Sequence, residues 1–242
     1  MTKQEIFSKF FSIEGNHESE KNKYIISNVL KYRRENEEDT QIEDAYRVIK
    51  MWRNEANGDE VDTFTTSREI VAPALNRLIA RKDWDLYDIR ILSLIVDLAE
   101  TYVQSHGLTI DALAKLKELH PDKKLPVTRL AFHVCMLQRL LRSKFTEDND
   151  PNELEEMFNF HYEAIMEICS EDKNKFAIQM AVALVRKSIF LIDNKASDVG
   201  PGAASDFGQA DVFKILKNEI SEYEALAGRK TRKETRYRIF LD

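Results

Sequence analysis

The sequence predicts an all-α protein, built as stacked helical hairpins in a tetratricopeptide-like α-solenoid of about ten helices. Seven Gly and five Pro are few for a chain of 242 residues, which favours long helices over many short strands. Helix-start signals recur along the chain: Thr2, Thr40 and Thr66 each precede a Glu at capping-box spacing, and Asp150 precedes Pro151. No segment shows the alternation of a strand. Helix lengths and short connections, rather than a legible consensus repeat, indicate the stacking.

The first part of the chain is expected to hold four helices. Three of them are predicted over residues 3–13, 17–34 and 41–56, where apolar residues recur at helical spacing. The fourth is predicted to be capped at Thr66. Pro73 then falls inside it, which predicts a kink or a late start near Ala72.

A fifth helix, from Trp84 to near Gly107, is expected to be the central one. Its apolar residues do not keep to one side, so neighbouring helices are expected to cover most of its surface. These residues are Leu86, Ile89, Ile91, Leu92, Leu94, Ile95, Val96 and Leu98.

The remaining helices are predicted over residues 109–120, from Pro126, from Pro151, over 173–193 and over 209–227. The Gly- and Ser-containing stretch 197–208 between the last two is expected to be a linker or mobile loop. Residues 1–228 are predicted to be one helical-repeat domain, followed by a basic tail over 229–242. That tail either contacts nucleic acid or an acidic partner or is a solvated terminus.

Composition limits the location and the partners of the chain. The formal net charge of −6 is not that of a typical nucleic-acid binder. Only Cys135 and Cys169 occur, both in apolar helical patterns, which predicts free thiols in a reducing cytoplasm. No apolar run is long enough to span a membrane, and the N-terminus lacks a signal core.

The sequence offers no catalytic constellation, and we expect no enzymatic activity, no metal and no cofactor. The five histidines are scattered, without the short ligand spacing that zinc requires. Gly200, Gly202 and Gly208 follow no strand and no Gly-Lys-Ser/Thr, so a phosphate-binding loop is disfavoured.

Long polar residues inside apolar helices are the candidate site. They are Arg90, Arg129, His133, Gln179 and Arg186. On the concave face of a solenoid they would hold the backbone or carboxylate of an extended peptide. The alternative is that the arginines pair with acids such as Asp97 or Asp193, or extend to the surface. His161 is expected to be a core histidine with a satisfied hydrogen bond.

Residues 78–92, LIARKDWDLYDIRIL, resemble a recognisable part of the Rgg/GadR/MutR family of transcriptional regulators. Trp84, Tyr87 and Asp88 match the Trp, Tyr and acid that open a helix in the family's regulatory domain, with Asp88 where Glu is more usual. An Asn that often follows in that helix has no counterpart here, where Leu94 and Val96 stand.

The resemblance implies a C-terminal regulatory domain, an α-helical repeat array that dimerises and binds short signalling peptides on its concave side. The family's N-terminal helix-turn-helix has no counterpart after Met1, so we expect no direct DNA binding by this chain. The predicted function is a cytoplasmic, homodimeric sensor that binds a short peptide and does no chemistry. The alternative is a protein-interaction scaffold without a small ligand, which uses an exposed helix face or the basic tail.

Overall fold

The computed structural model describes residues 1–13, 20–57, 60–81, 83–146, 150–173, 175–176, 179–180, 182–187 and 190. The α-helices within these ranges are α1 (Lys3–Phe10), α2 (Glu20–Glu35), α3 (Thr40–Asn57), α4 (Glu60–Ala80), α5 (Leu86–Ile95), α6 (Tyr102–Leu119), α7 (Pro126–Thr146) and α8 (Pro151–Ser170). A short 3₁₀ helix, Val96–Leu98, follows α5. No strand occurs within the described ranges, so the predicted all-α class is confirmed.

The chain divides into two compact units, with the boundary between Thr128 and Arg129. In unit one, α1 packs on α2, α2 on α3, and α3 on α4, while α5 lies against α3, α4 and α6. Helices α1 to α4 thus each pack on the helix that follows them in the chain. The predicted domain end at residue 228 lies outside the described residues.

Unit one holds both tryptophans of the chain. Trp52 of α3 stacks on Phe10 of α1, with ring centroids 5.5 Å apart. Trp84 is buried in the turn between α4 and α5, where its Nε1 donates to the main-chain oxygen of Leu78 at 2.7 Å. A buried indole N–H needs such an acceptor, and this bond fixes the turn.

Unit two contains α7 from Arg129 onward, α8 and residues between 176 and 190. Phe158 of α8 stacks on Phe190 with ring centroids 4.1 Å apart. Lys144 of α7 donates to the main-chain oxygen of Phe190 at 2.7 Å. Residues 179–180, 182–187 and 190 are helical, as the sequence predicts.

Two of the predicted helix starts are confirmed. Thr2 and Glu5 form a reciprocal capping box on α1. Asp150 accepts from the main-chain N–H of Asn152, with Pro151 as the first residue of α8.

Two other predicted caps, Thr40 and Thr66, are wrong. Asp39, not Thr40, caps α3, because its carboxylate accepts from the main-chain N–H groups of Gln41 and Ile42 at 3.2 and 3.3 Å. Thr66 lies inside α4, which begins at Glu60 and continues through Pro73. Pro73 therefore does not cause a late start of this helix near Ala72.

The prediction of a single central helix from Trp84 to near Gly107 is also wrong. The backbone leaves helical geometry at Ile95, with φ −134° and ψ 0°, and a new helix begins at Tyr102. Thr101 caps α6 by accepting from the N–H of Gln104 at 3.1 Å. Gly107, predicted to lie at a helix end, is inside α6, which also takes in most of the predicted helix 109–120.

Several predicted segments lie outside the described residues. They are the linker 197–208, the helix 209–227, the tail 229–242 and the start of the helix predicted at His17.

Candidate functional site

The three residues that carry the family resemblance all take part in the core of unit one. Trp84 closes the turn before α5. Tyr87 stacks on Phe7 of α1, with ring centroids 4.6 Å apart. Asp88 is fully buried on the inner face of α5. The motif therefore determines how α5 is seated against its neighbours.

Asp88 belongs to a buried charge cluster that joins three helices. Arg77 of α4 donates through Nε to Asp44 of α3 at 2.6 Å and through Nη2 to Asp88 at 2.8 Å. The Asp44 and Asp88 side chains are only 5% and 0% exposed. Arg81 approaches the second oxygen of Asp88 at 4.0 Å. In this cluster, Asp44–Arg77–Asp88, both carboxylates are buried and Arg77 is 17% exposed, which suits a structural role better than acid–base chemistry.

Burial and ion pairing have opposite effects on the pKa values of Asp44 and Arg77. Burial raises the pKa of the Asp44 carboxyl, although the positive charge and hydrogen bond of Arg77 act to lower it. Burial also lowers the pKa of the Arg77 guanidinium, but its hydrogen bonds to Asp88 and Asp44 outweigh that effect and raise it overall. Arg77 is therefore charged at all physiological pH values, while Asp44 carries its charge at some cost.

A second polar contact in unit one joins α3 to the start of α5. Gln41 of α3 donates its amide to the carboxylate of Asp85 at 2.9 Å. The same carboxylate caps α5, since it accepts from the N–H groups of Tyr87 and Asp88 at 2.9 Å. Asp85 thus ties the first turn of α5 to α3.

Arg90, the first of the predicted site residues, is half-buried on α5 in unit one. Its guanidinium lies over the ring of Phe11, 5.3 Å from the centroid. Burial lowers the pKa of this guanidinium. Among the described residues no carboxylate forms an ion pair with it, so the alternative of a pair with Asp97 does not occur. A cation over an aromatic face is its observed contact.

His133 lies in unit two, buried between α7 and α8. Its Nδ1 is 2.9 Å from the Nδ1 of His161, and both rings are buried. The exposed ring of Phe160 packs against His133, with centroids 6.1 Å apart. His161 is therefore the satisfied core histidine that the sequence predicts.

Arg186 joins its own segment to α7. It donates through Nη1 to the main-chain oxygen of Val134 and through Nη2 to the side chain of Gln138 at 2.9 Å. These two acceptors are a main-chain carbonyl and a side-chain amide oxygen. Asp193, the acid considered in the sequence, lies outside the described residues.

Arg129 and Gln179 complete the predicted set in unit two. Arg129 lies one turn before His133 on α7 and is half-buried. Gln179 lies seven residues before Arg186, and its Oε1 is buried without a hydrogen-bond donor among the described residues. The contact of Arg186 with α7 thus brings together two segments that carry four of the five predicted residues.

Sequence reasoning missed the Asp44–Arg77–Asp88 cluster and the pairing of His133 with His161. Arg77 offered a signal, since it lies between the buried Leu75 and Leu78 in an apolar pattern. The two histidines are 28 residues apart, and no local pattern predicts their contact.

The described residues include no group of three or more His, Cys, Asp or Glu that is arranged to hold a metal ion. Cys169 is buried, and burial raises the pKa of its thiol to about 12, which disfavours the nucleophilic thiolate. None of the helices in the described part of the chain has the length and apolar character that a membrane crossing requires.

Comparison of the chain with protein-family models, with curated proteins and with solved structures finds no significant match. The resemblance of residues 78–92 to the Rgg/GadR/MutR family therefore stays a prediction from the motif alone.

Proposed function

We propose that this chain is a non-enzymatic regulatory domain that binds a short peptide, with unit two as the binding unit. The observation that carries the proposal is the contact of Arg186 with Val134 and Gln138. It places the segment of Gln179 and Arg186 beside the helix of Arg129 and His133. Donors and acceptors spaced along two adjoining helical segments suit the backbone of an extended peptide.

The residues of the proposed site differ in whether their polar groups are available to a ligand. His133 and Arg186 already have partners within unit two, so they shape the surface and position their neighbours. Arg129 is half-buried, and the exposed Phe160 beside His133 supplies an apolar contact. We expect a ligand with a hydrophobic side chain for Phe160 and a carboxylate or carbonyl for Arg129.

The proposal also includes a stacked-hairpin architecture and a role like that of the Rgg/GadR/MutR family. Sequential packing of α1 to α4 supports hairpin stacking of the tetratricopeptide type. The Trp84, Tyr87 and Asp88 motif supports a role like that of the Rgg/GadR/MutR regulatory domain, acting as a homodimer in the cytoplasm without direct DNA binding by this chain.

Calorimetric titration of the full chain with a panel of short hydrophobic peptides tests this proposal. We expect saturable binding by a subset of the panel, weakened about tenfold by Arg129→Gln, which corresponds to about 1.4 kcal/mol. The matched control is Arg68→Gln, the same change at a half-buried arginine of α4 in unit one. Absence of binding across the panel, or equal loss in both variants, would contradict a site on α7.

A scaffold function is the second candidate, and the outer face of α6 favours it. Val103 and Ile110 are 47% and 38% exposed, and Gly107 and Ala114 are exposed on the same stripe by i, i+4, i+7, i+11 spacing. Such a stripe fits a helix of a partner protein. Partner capture should then be lost in Ile110→Glu, or on deletion of residues 229–242 if the tail is used, while folding is retained. Capture that survives both changes would eliminate this candidate.

A further inference from the structure

The contact between His133 and His161 sets a strict requirement on protons. A hydrogen bond between the two Nδ1 atoms, 2.9 Å apart, needs one Nδ1–H and one bare Nδ1. When both rings are neutral, one ring therefore carries its proton on Nδ1 and the other carries its proton on Nε2. His133 and His161 together form a histidine pair.

Added protons act on the histidine pair in two steps. One extra proton leaves an imidazolium that still donates to the other ring, but it places a charge in a buried site. A second extra proton puts N–H groups on both Nδ1 atoms, so the hydrogen bond is lost. Two positive rings with centroids 5.1 Å apart then repel each other in an interior of low dielectric constant.

Several cationic side chains lie on the elements that carry the histidine pair or contact them. On α7, Arg129 lies one turn before His133. On the segment 182–187, Arg186 is bound to the carbonyl of Val134, and Lys187 lies over the ring of Tyr162, 4.0 Å from the centroid. The carboxylates of α8 all lie at exposed positions: Glu153, Glu155, Glu156, Glu163 and Glu167.

We propose that the histidine pair is a pH-sensitive contact between α7 and α8. It holds while the two rings share one proton between their Nδ1 atoms, and it breaks when both rings become charged. Acidification then separates α7 from α8 at this point and changes the surface that carries Phe160. The inference concerns the folding of unit two and does not depend on peptide binding.

Hydrogen exchange of the full chain as a function of pH tests this contact. Below the ordinary imidazole titration range, about pH 6.5, protection of the α7 and α8 amides should fall by about tenfold per pH unit for each proton taken up. This comparison is made after correction for the pH dependence of intrinsic exchange. His161→Gln keeps an acceptor for His133 but removes one titrating ring, so its protection should fall less steeply. His120→Gln, at the end of α6, is the matched control and should behave as the wild type does.

A second measurement covers the case in which His161→Gln does not fold. In the wild-type chain with nitrogen-labelled imidazoles, magnetic resonance should detect one Nδ1–H coupled across the hydrogen bond to the other Nδ1. Its disappearance should coincide with the loss of protection. Two rings that titrate independently, or identical pH profiles for the wild type and His161→Gln, would overturn the proposal.

Discussion

The guanidinium of Arg77 donates to the carboxylate of Asp88 at 2.8 Å, and that carboxylate has no exposure to solvent. Because Arg77 also holds Asp44, one side chain of α4 neutralises charges on α3 and α5. A cluster that joins three helices makes the stability of unit one depend on a single arginine.

Arg77→Met should therefore destabilise unit one strongly. The change leaves two buried carboxylates without their shared donor, and breaking a buried pair by removing one partner costs about 3–5 kcal/mol. Urea unfolding at neutral pH measures the loss. Arg81→Met is the control, because Arg81 is exposed and lies 4.0 Å from Asp88, and it should leave the unfolding midpoint nearly unchanged. Equal effects of the two variants would contradict a central role for Arg77.

Asp44→Asn should destabilise unit one less than Arg77→Met does at neutral pH, because Arg77 keeps its pair with Asp88. Burial raises the pKa of Asp44 in the folded state, so the native protein holds this proton more tightly than the unfolded chain does. The wild type should therefore gain stability relative to Asp44→Asn as the pH falls through that raised pKa toward the ordinary pKa of the unfolded chain. Unfolding of both proteins at pH values from neutral to acidic provides the comparison. An opposite trend would indicate that pairing with Arg77, and not burial, dominates.

Asp85→Ala should cost about 1–2 kcal/mol, because the carboxylate caps two N–H groups of α5. Loss of the Gln41 contact adds to this effect. Asp83→Ala is a matched control two residues away. Its carboxylate is exposed and pairs only with Arg81 among the bonds described, so thermal unfolding should be unaffected. A shift in Asp83→Ala as large as that in Asp85→Ala would argue against the capping explanation.

Gly107→Ala should stabilise unit one by about 0.5–1 kcal/mol. Gly107 lies inside α6, and a Cβ added there would meet no atom within 4 Å. Alanine also loses less conformational entropy on folding than glycine does. Ala114→Gly, at an exposed position of the same helix, should give a change of similar size and opposite sign. Destabilisation by Gly107→Ala would mean that the exposed stripe of α6 is covered in solution.

The two cysteines should differ in reactivity. Burial raises the pKa of Cys169 to about 12, so at mildly alkaline pH its alkylation should be slowed by about 10³-fold relative to an ordinary thiol. Cys135 is half-buried and should react first. Mass spectrometry of the chain after timed alkylation resolves the two sites. Denaturant should remove the difference, whereas equal native rates would contradict the burial of Cys169.

Local signals predicted much of this fold. The Asp150–Pro151 start of α8 and the Thr2 capping box are confirmed because each depends on residues adjacent in sequence. Asp39 displaced Thr40 as a cap because a carboxylate binds two N–H groups at once. The break before α6 also had a local signal, since Thr101 and Gln104 have capping-box spacing inside an apolar run.

The candidate site depended on contacts that no local signal gives. Arg186 binds a main-chain oxygen 52 residues earlier, and any residue type presents that acceptor. The ring of Phe11, which lies under Arg90, belongs to the residue that caps the C-terminus of α1, 79 positions earlier in the sequence. Periodicity identified these arginines as polar residues in apolar helices, and tertiary packing selected their partners.

Trp52 and Trp84 are the only indoles in the sequence, and both belong to unit one. Intrinsic fluorescence excited selectively at tryptophan therefore reports the melting of residues 1–128 and is nearly silent for α8. Far-ultraviolet circular dichroism follows the helices of both units. A gap between the two unfolding curves would reveal an intermediate with one unit folded, and coincident curves would mean that the units unfold together.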